Sequence, residues 1–172
     1  TLMQSIIKLP QPVIAQIHGT AAAAGCQLVA TCDLAIASTT AKFATPGVNI
    51  GLFCSTPMVA VSRKLPRKKM MEMLLMGDLV DAETALEFGL INRVVAYDQL
   101  EETVSNYANK IREKSPLVLK IGKEAFYNQI DMPLADAYKY TAEVMTQNML
   151  VQDANEGINA FIEKRAPTWT GK

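Results

Sequence analysis

The stretch Gln16-Ile-His-Gly-Thr-Ala-Ala-Ala-Ala-Gly-Cys-Gln-Leu28 constrains this chain more than any other. An apolar run ends there in residues with almost no side-chain bulk and then turns helical. Before it, Pro12-Val-Ile-Ala-Gln-Ile17 is rich in β-branched residues and suits a short buried strand stopped at Gly19. After it, the pattern predicts a helix from about Gly25 to Thr31. Between Ala21 and Gly25 another group can come close to the backbone, and the first N–H groups of a helix have no carbonyl partner within it. Those donors, with the positive end of the helix dipole, favour a ligand oxygen bearing negative charge. A run of alanines equally suits a helix packed tightly on a sheet with no chemistry, and composition alone does not separate these readings.

The remaining text places that junction in a mixed fold. Leu2-Met-Gln-Ser-Ile-Ile-Lys8 reads as the end of a helix already under way, as in a piece of a longer chain. Asp33–Ser38 and Ala41–Thr45 read as strands, and strand, helix, strand suggests a parallel unit. Pro46–Pro57, with two glycines and two prolines, predicts an ordered loop, with Thr56 or Pro57 opening the next helix. Met70, Met71, Met73, Leu74, Leu75 and Met76 fill a helix ending near Gly77. Asp81 caps a helix over 82–88 that closes at Gly89, and Leu90–Val95 reads as a strand. Helices then follow over about 98–114, from Ser115-Pro116 to about Gln129, and to about Leu150. Asp153-Ala-Asn-Glu156 resembles a capping box before the terminal helix. We read residues 1–96 as an α/β core and 97–172 as a helical C-terminal region that packs on a partner subunit.

Composition narrows the function classes. Lysine plus arginine equals aspartate plus glutamate at 17 each, so the balance points to no nucleic-acid partner. Three cysteines, Cys26, Cys32 and Cys54, sit in apolar or small surroundings and match no zinc spacing. They suit a reducing compartment. No apolar run approaches the roughly 20 residues needed to span a bilayer. Arg63-Lys-Leu-Pro-Arg-Lys-Lys69 puts five cations in seven positions, a pattern more typical of a solvated face than of a phosphate site.

The order of several short motifs resembles the crotonase (enoyl-CoA hydratase/isomerase) superfamily along nearly the whole chain. The matching stretches are Gln11–Gly19, Ala23-Ala-Gly-Cys-Gln-Leu28, Cys32-Asp33, Phe43-Ala-Thr-Pro46 and Gly51. Met76-Gly-Asp78, Ala82, Ala85, Gly89-Leu90 and Gly157–Arg165 complete the set. Gly51–Pro57 and Pro66-Arg-Lys68 look most like one branch of it. The resemblance implies an α/β crotonase-like (ClpP/crotonase) spiral fold, of which this chain is the C-terminal part, with a helical trimerisation region. It implies a homotrimer or homohexamer that binds acyl-CoA, inside the cell in bacterial cytoplasm or mitochondrial matrix. Coenzyme A would arrive as part of the substrate, with no tightly bound cofactor and no metal.

By the same resemblance the thioester oxygen, as it becomes an enolate, would be held by the Ala24 N–H, flanked by Ala23 and Gly25. The second donor would lie upstream of Thr1. The two hydratase glutamates are replaced, one by Gln27 and the other by Gly47, and the alternative isomerase carboxylate position is Ser55. Glutamine can bond a water but cannot take its proton at neutral pH, which argues against hydration by the two-glutamate route. Cys54 and Ser55 stand in the loop expected to face the acyl group, either one a candidate nucleophile or proton donor. His18, the only histidine, reads more readily as a satisfied polar group. Phe161 and Lys164 fall where the family contacts the adenine and 3′-phosphate of CoA. Three readings stay open: an enoyl-CoA hydratase/isomerase-like protein of fatty-acid metabolism, a non-catalytic acyl-CoA-binding or regulatory subunit, and an assembly scaffold.

Overall fold

The computed structural model describes residues 1–172, which group into two compact units. The first comprises Thr1–Ile7 and Val13–Ala108, and the second Lys8–Pro12 and Asn109–Lys172.

In the first unit, α1 (Leu2–Lys8, its last residue in the other unit) precedes β1 (Ile14–Ile17), β2 (Thr20–Ala22) and α2 (Ala24–Thr31). β3 (Leu34–Ser38) and β4 (Lys42–Ala44) follow. The strand expected up to residue 18 therefore does not run straight into a helix. The chain leaves one sheet at Gly19 and enters a second one. β1, β3 and β6 (Arg93–Val95) form a parallel sheet with Ile14 opposite Leu34 and Ile36 opposite Arg93. β2 lies parallel to β4, with Ala21 opposite Phe43, and β5 (Val80–Asp81) runs antiparallel to β4. Helix α2 thus lies within both crossovers, so its N-terminus emerges at the end of β2.

Asp33 fastens this arrangement, accepting the Val13 N–H at 2.7 Å through its carboxylate. Phe43, Ile36 and Val61 are wholly buried, and each contributes about 1.5–3 kcal/mol by leaving water. The loop expected at 46–57 contains a 3₁₀ turn, Pro46–Ile50, and α3 (Ser55–Val61) opens at Ser55 rather than at Thr56 or Pro57. α4 (Arg67–Met76) ends at Gly77, whose φ of 67° requires glycine-like freedom. Met70, Met73 and Leu74 are its buried face; Met71, Leu75 and Met76 are exposed. Asp81 caps α5 (Ala82–Glu87) by accepting the Thr84 N–H at 2.8 Å. β6 is shorter than the strand read at 90–95, because the Asn92 side chain accepts the Ala35 N–H at 2.7 Å ahead of the ladder. The cations of 63–69 are exposed, and Lys69 lies over the Phe88 ring at 4.8 Å.

The second unit is built from the end of α6 (Leu100–Arg112), α7 (Pro116–Gln129), α8 (Leu134–Met149) and α9 (Gln152–Glu163). The expected capping box at 153–156 is not made: Val151 is the N-cap of α9 and Asp153 stands inside its first turn. Its buried carboxylate instead accepts the Ser115 hydroxyl at 2.5 Å, the Thr170 N–H at 2.7 Å and hydroxyl at 3.0 Å, and the Gly171 N–H at 3.1 Å. These donors hold the carboxyl down at about 2, chiefly through Ser115. Trp169 joins the same closure, donating its ring N–H to the Glu113 carbonyl at 2.7 Å.

Candidate active site

Ala23 is the unusual residue at the junction. Its backbone stands at φ 48°, ψ −112°, a region that side chains avoid and that costs on the order of 1–3 kcal/mol for a residue other than glycine. It is held there by two backbone bonds: its N–H donates to the Ala44 carbonyl at 3.0 Å, and its own carbonyl accepts the Gln27 N–H at 3.0 Å. The turn leaves the next N–H, that of the exposed Ala24, first in α2 and without an acceptor in the chain. Gly25 follows. A Cβ added to it would meet nothing closer than the Ala21 Cβ at 3.9 Å, so protein packing does not demand a glycine there. Glycine inside a helix costs about 0.5–1 kcal/mol relative to alanine, so this one keeps space open at a price in stability. A groove of about 480 Å³ runs along β1 and α2, bordered by Ile14, Ile17, Ala21, Gly25 and Leu28.

Gln27 lies one turn after Ala24 on α2, half-buried, and its side-chain amide has no partner in the chain. Cys54 is buried just ahead of α3, and its sulfur accepts the Gly47 N–H at 3.3 Å. Ser55 is exposed, its hydroxyl donating to the Phe53 carbonyl at 3.4 Å. Neither has a base hydrogen-bonded to it. His18 is exposed, and its backbone carbonyl accepts from the Ser38 and Thr40 hydroxyls. The wholly buried Cys26 thiol is pushed up to about 12, first by burial and then by Cys54 nearby, against a hydrogen bond from the Ala44 backbone. It stays neutral at physiological pH. No group of three or more histidine, cysteine or acidic side chains is arranged to hold a metal ion, and no helix is long and apolar enough to cross a membrane.

The sequence model of the enoyl-CoA hydratase/isomerase family matches residues 1–172. The chain belongs to the enoyl-CoA hydratase/isomerase family. Enoyl-CoA hydratase domain-containing protein 3, mitochondrial, of Xenopus laevis is 50% identical over 169 residues, covering 98% of this chain and 58% of that protein. The crystal structure of human enoyl coenzyme A hydratase domain-containing protein 3 superposes with a TM-score of 0.96 at 48% identity, over 98% of this chain and 66% of that one. That of an enoyl-CoA hydratase from Mycobacterium smegmatis does so with a TM-score of 0.96, also at 48% identity, over 98% and 65%. This enoyl-CoA hydratase/isomerase family chain thus spans less than two thirds of these relatives' length. The crotonase resemblance and the α/β crotonase fold expected from sequence are both borne out.

Within the first unit the family fold gathers Ala23, Ala24, Gly25 and Gln27 at one helix start, with Cys54 and Ser55 at the start of α3, which packs on α2. Phe161 and Lys164 belong to the second unit. Phe161 is 85% exposed on α9, and Lys164 caps that helix at φ 55° with its ammonium exposed. Sequence reasoning missed three features here: the backbone of Ala23, the nearness of Cys26 to Cys54, and Thr45, whose buried hydroxyl has no partner. An alanine carries no sign of a positive φ. The other two depend on contacts between segments distant in sequence.

Proposed function

We propose that this chain binds an acyl-CoA thioester with the thioester oxygen on the Ala24 N–H, as an enoyl-CoA hydratase/isomerase-like protein of fatty-acid and CoA metabolism. The observation that carries this reading is the backbone of Ala23, held at φ 48° by the Ala44 carbonyl so that the following N–H is left open. A preorganised donor is worth about 2.7–4 kcal/mol where charge develops on the oxygen in a transition state. Against a ground-state carbonyl it contributes about 0.5–1.5 kcal/mol. Gln27 serves as a hydrogen-bonding partner for the thioester or for a water beside it, but accepts no proton at neutral pH. Hydration by a glutamate pair is therefore not the reaction proposed. Cys54 and Ser55 face the acyl side without a base of their own.

The second reading, a non-catalytic acyl-CoA-binding or regulatory protein, is favoured by Gln27 and Gly47 standing in place of carboxylates. In either reading Phe161 offers a ring to the adenine and Lys164 an ammonium to the 3′-phosphate. A homotrimer or homohexamer is supported by the apolar side chains exposed on α8 and α9, among them Leu134, Tyr138, Met149 and Phe161. The mitochondrial relative supports a mitochondrial-matrix location, with bacterial cytoplasm as the alternative.

Titration calorimetry of the whole gene product carrying this chain, with butyryl-CoA as ligand, tests the reading. Saturable binding is expected; absence of affinity for this and other acyl-CoA thioesters overturns it. With crotonyl-CoA, retained enoyl absorbance in the parent and after Gln27→Glu is expected, and its loss in the parent contradicts the exclusion of hydration.

A further inference from the structure

Gly47 lies in the Pro46–Ile50 turn, three residues beyond the Ala44 carbonyl that holds Ala23. A Cβ added to Gly47 would stand 3.1 Å from the Cys54 sulfur, 3.1 Å from the Leu52 carbonyl oxygen and 3.2 Å from the Cys54 nitrogen. Two of those three neighbours are backbone, so a side chain enters position 47 only if the 52–54 turn moves. The turn is tied in place by the Gly47 N–H, which donates to the Cys54 sulfur at 3.3 Å, and by the Gly47 carbonyl, which accepts the Leu52 N–H at 2.9 Å. Held this way, the turn leaves Leu52 and Phe53 64% and 44% exposed.

We propose that Cys54 is a positioning residue: with Gly47 it fixes the 52–54 turn in the space of a side chain at position 47. The acyl site then has an apolar wall of Leu52 and Phe53 that receives an alkyl chain where a carboxylate would have held water. This rests on the acyl-CoA reading given above. It also means that a side chain at position 47 requires the Leu52 carbonyl, the Cys54 nitrogen and the Cys54 sulfur to give by a few tenths of an ångström.

The test compares the affinities of the whole gene product for octanoyl-CoA and acetyl-CoA by calorimetry, alongside thermal melting. Cys54→Ala removes the acceptor and lowers the ratio of octanoyl-CoA to acetyl-CoA affinity about 2- to 10-fold, the size of one hydrogen bond. Cys54→Ser keeps an acceptor and returns octanoyl-CoA affinity to within about twofold of the parent. Gly47→Ala lowers octanoyl-CoA affinity also, and less so in a Cys54→Ala background where the sulfur contact is gone. A lowered melting temperature with an unchanged octanoyl-to-acetyl ratio in Cys54→Ala overturns the proposal and leaves the acyl-CoA reading standing. If the parent binds neither thioester, the acyl-CoA reading itself falls, and the proposal with it.

Discussion

The junction at Ala23–Ala24 and the closure around Asp153 place polar groups by opposite means. At the junction every group that matters is backbone: the Ala23 N–H on the Ala44 carbonyl, the Gln27 N–H on the Ala23 carbonyl, and the open Ala24 N–H. Around Asp153 a single buried carboxylate gathers donors from Ser115, Thr170 and Gly171. The first arrangement contains nothing that titrates and depends on the smallness of its side chains. The second depends on a charge. A site that must leave one donor open to a ligand gains from being built of atoms whose charge does not vary with pH, whereas closing a terminal tail over a helix end has no such requirement.

Four changes break or sharpen that contrast, in descending order of expected effect. Phe43→Ala, in the strand that pairs with β2, removes the largest fully buried side chain and destabilises the chain by about 3–5 kcal/mol in denaturant unfolding. A loss below about 1 kcal/mol would mean the junction does not rest on that strand.

Next, Asp153→Asn releases the tail, read from the emission of Trp169, the only tryptophan. In the parent the same release follows acid. Asp153 is held at about 2, below its ordinary 3.8, so its contribution is complete above pH 3.8 and lost as the pH falls towards about 2. Glu156 is lowered from 4.5 to about 2, chiefly by Arg165, and is lost over the same acid range. Emission that stays constant across that range in the parent would contradict the role given to the carboxylate.

Ala23→Gly relieves the strained φ and raises stability by up to about 1 kcal/mol in the same unfolding assay, the relief being partly offset by the freedom of glycine in the unfolded chain. A loss would show that Ala23 is not strained. The smallest change, Thr45→Val, removes a buried hydroxyl that has no partner and leaves stability within about 1 kcal/mol of the parent. A larger loss would reveal a bound water on that hydroxyl.

The legible parts of the fold were those marked by local chemistry. Gly77 and Gly89 ended their helices as read, and Asp81 and Ser115 capped theirs. β2 was not legible, because Thr20-Ala-Ala22 offers no alternation of large and small side chains, and its place depends on Phe43 and Ala44, its partners in β4. Asp153 shows the reverse error. Its spacing to Glu156 imitates a cap, but a tail folding back from residues 170 and 171 claimed the carboxylate. At the candidate site the small residues and the helix start could be read from the sequence. The conformation that opens Ala24 could not, since it is imposed on Ala23 by a carbonyl from another strand.

The central claim is that the Ala24 N–H takes the thioester oxygen, and the most direct test leaves the protein unaltered. Calorimetric titration of the whole gene product with butyryl-CoA and with S-butyl-CoA, the thioether that lacks only the carbonyl oxygen, compares ligands that differ at that atom. About 2- to 10-fold tighter binding of the thioester is expected, one hydrogen bond's worth. Equal affinities for the two ligands would contradict it.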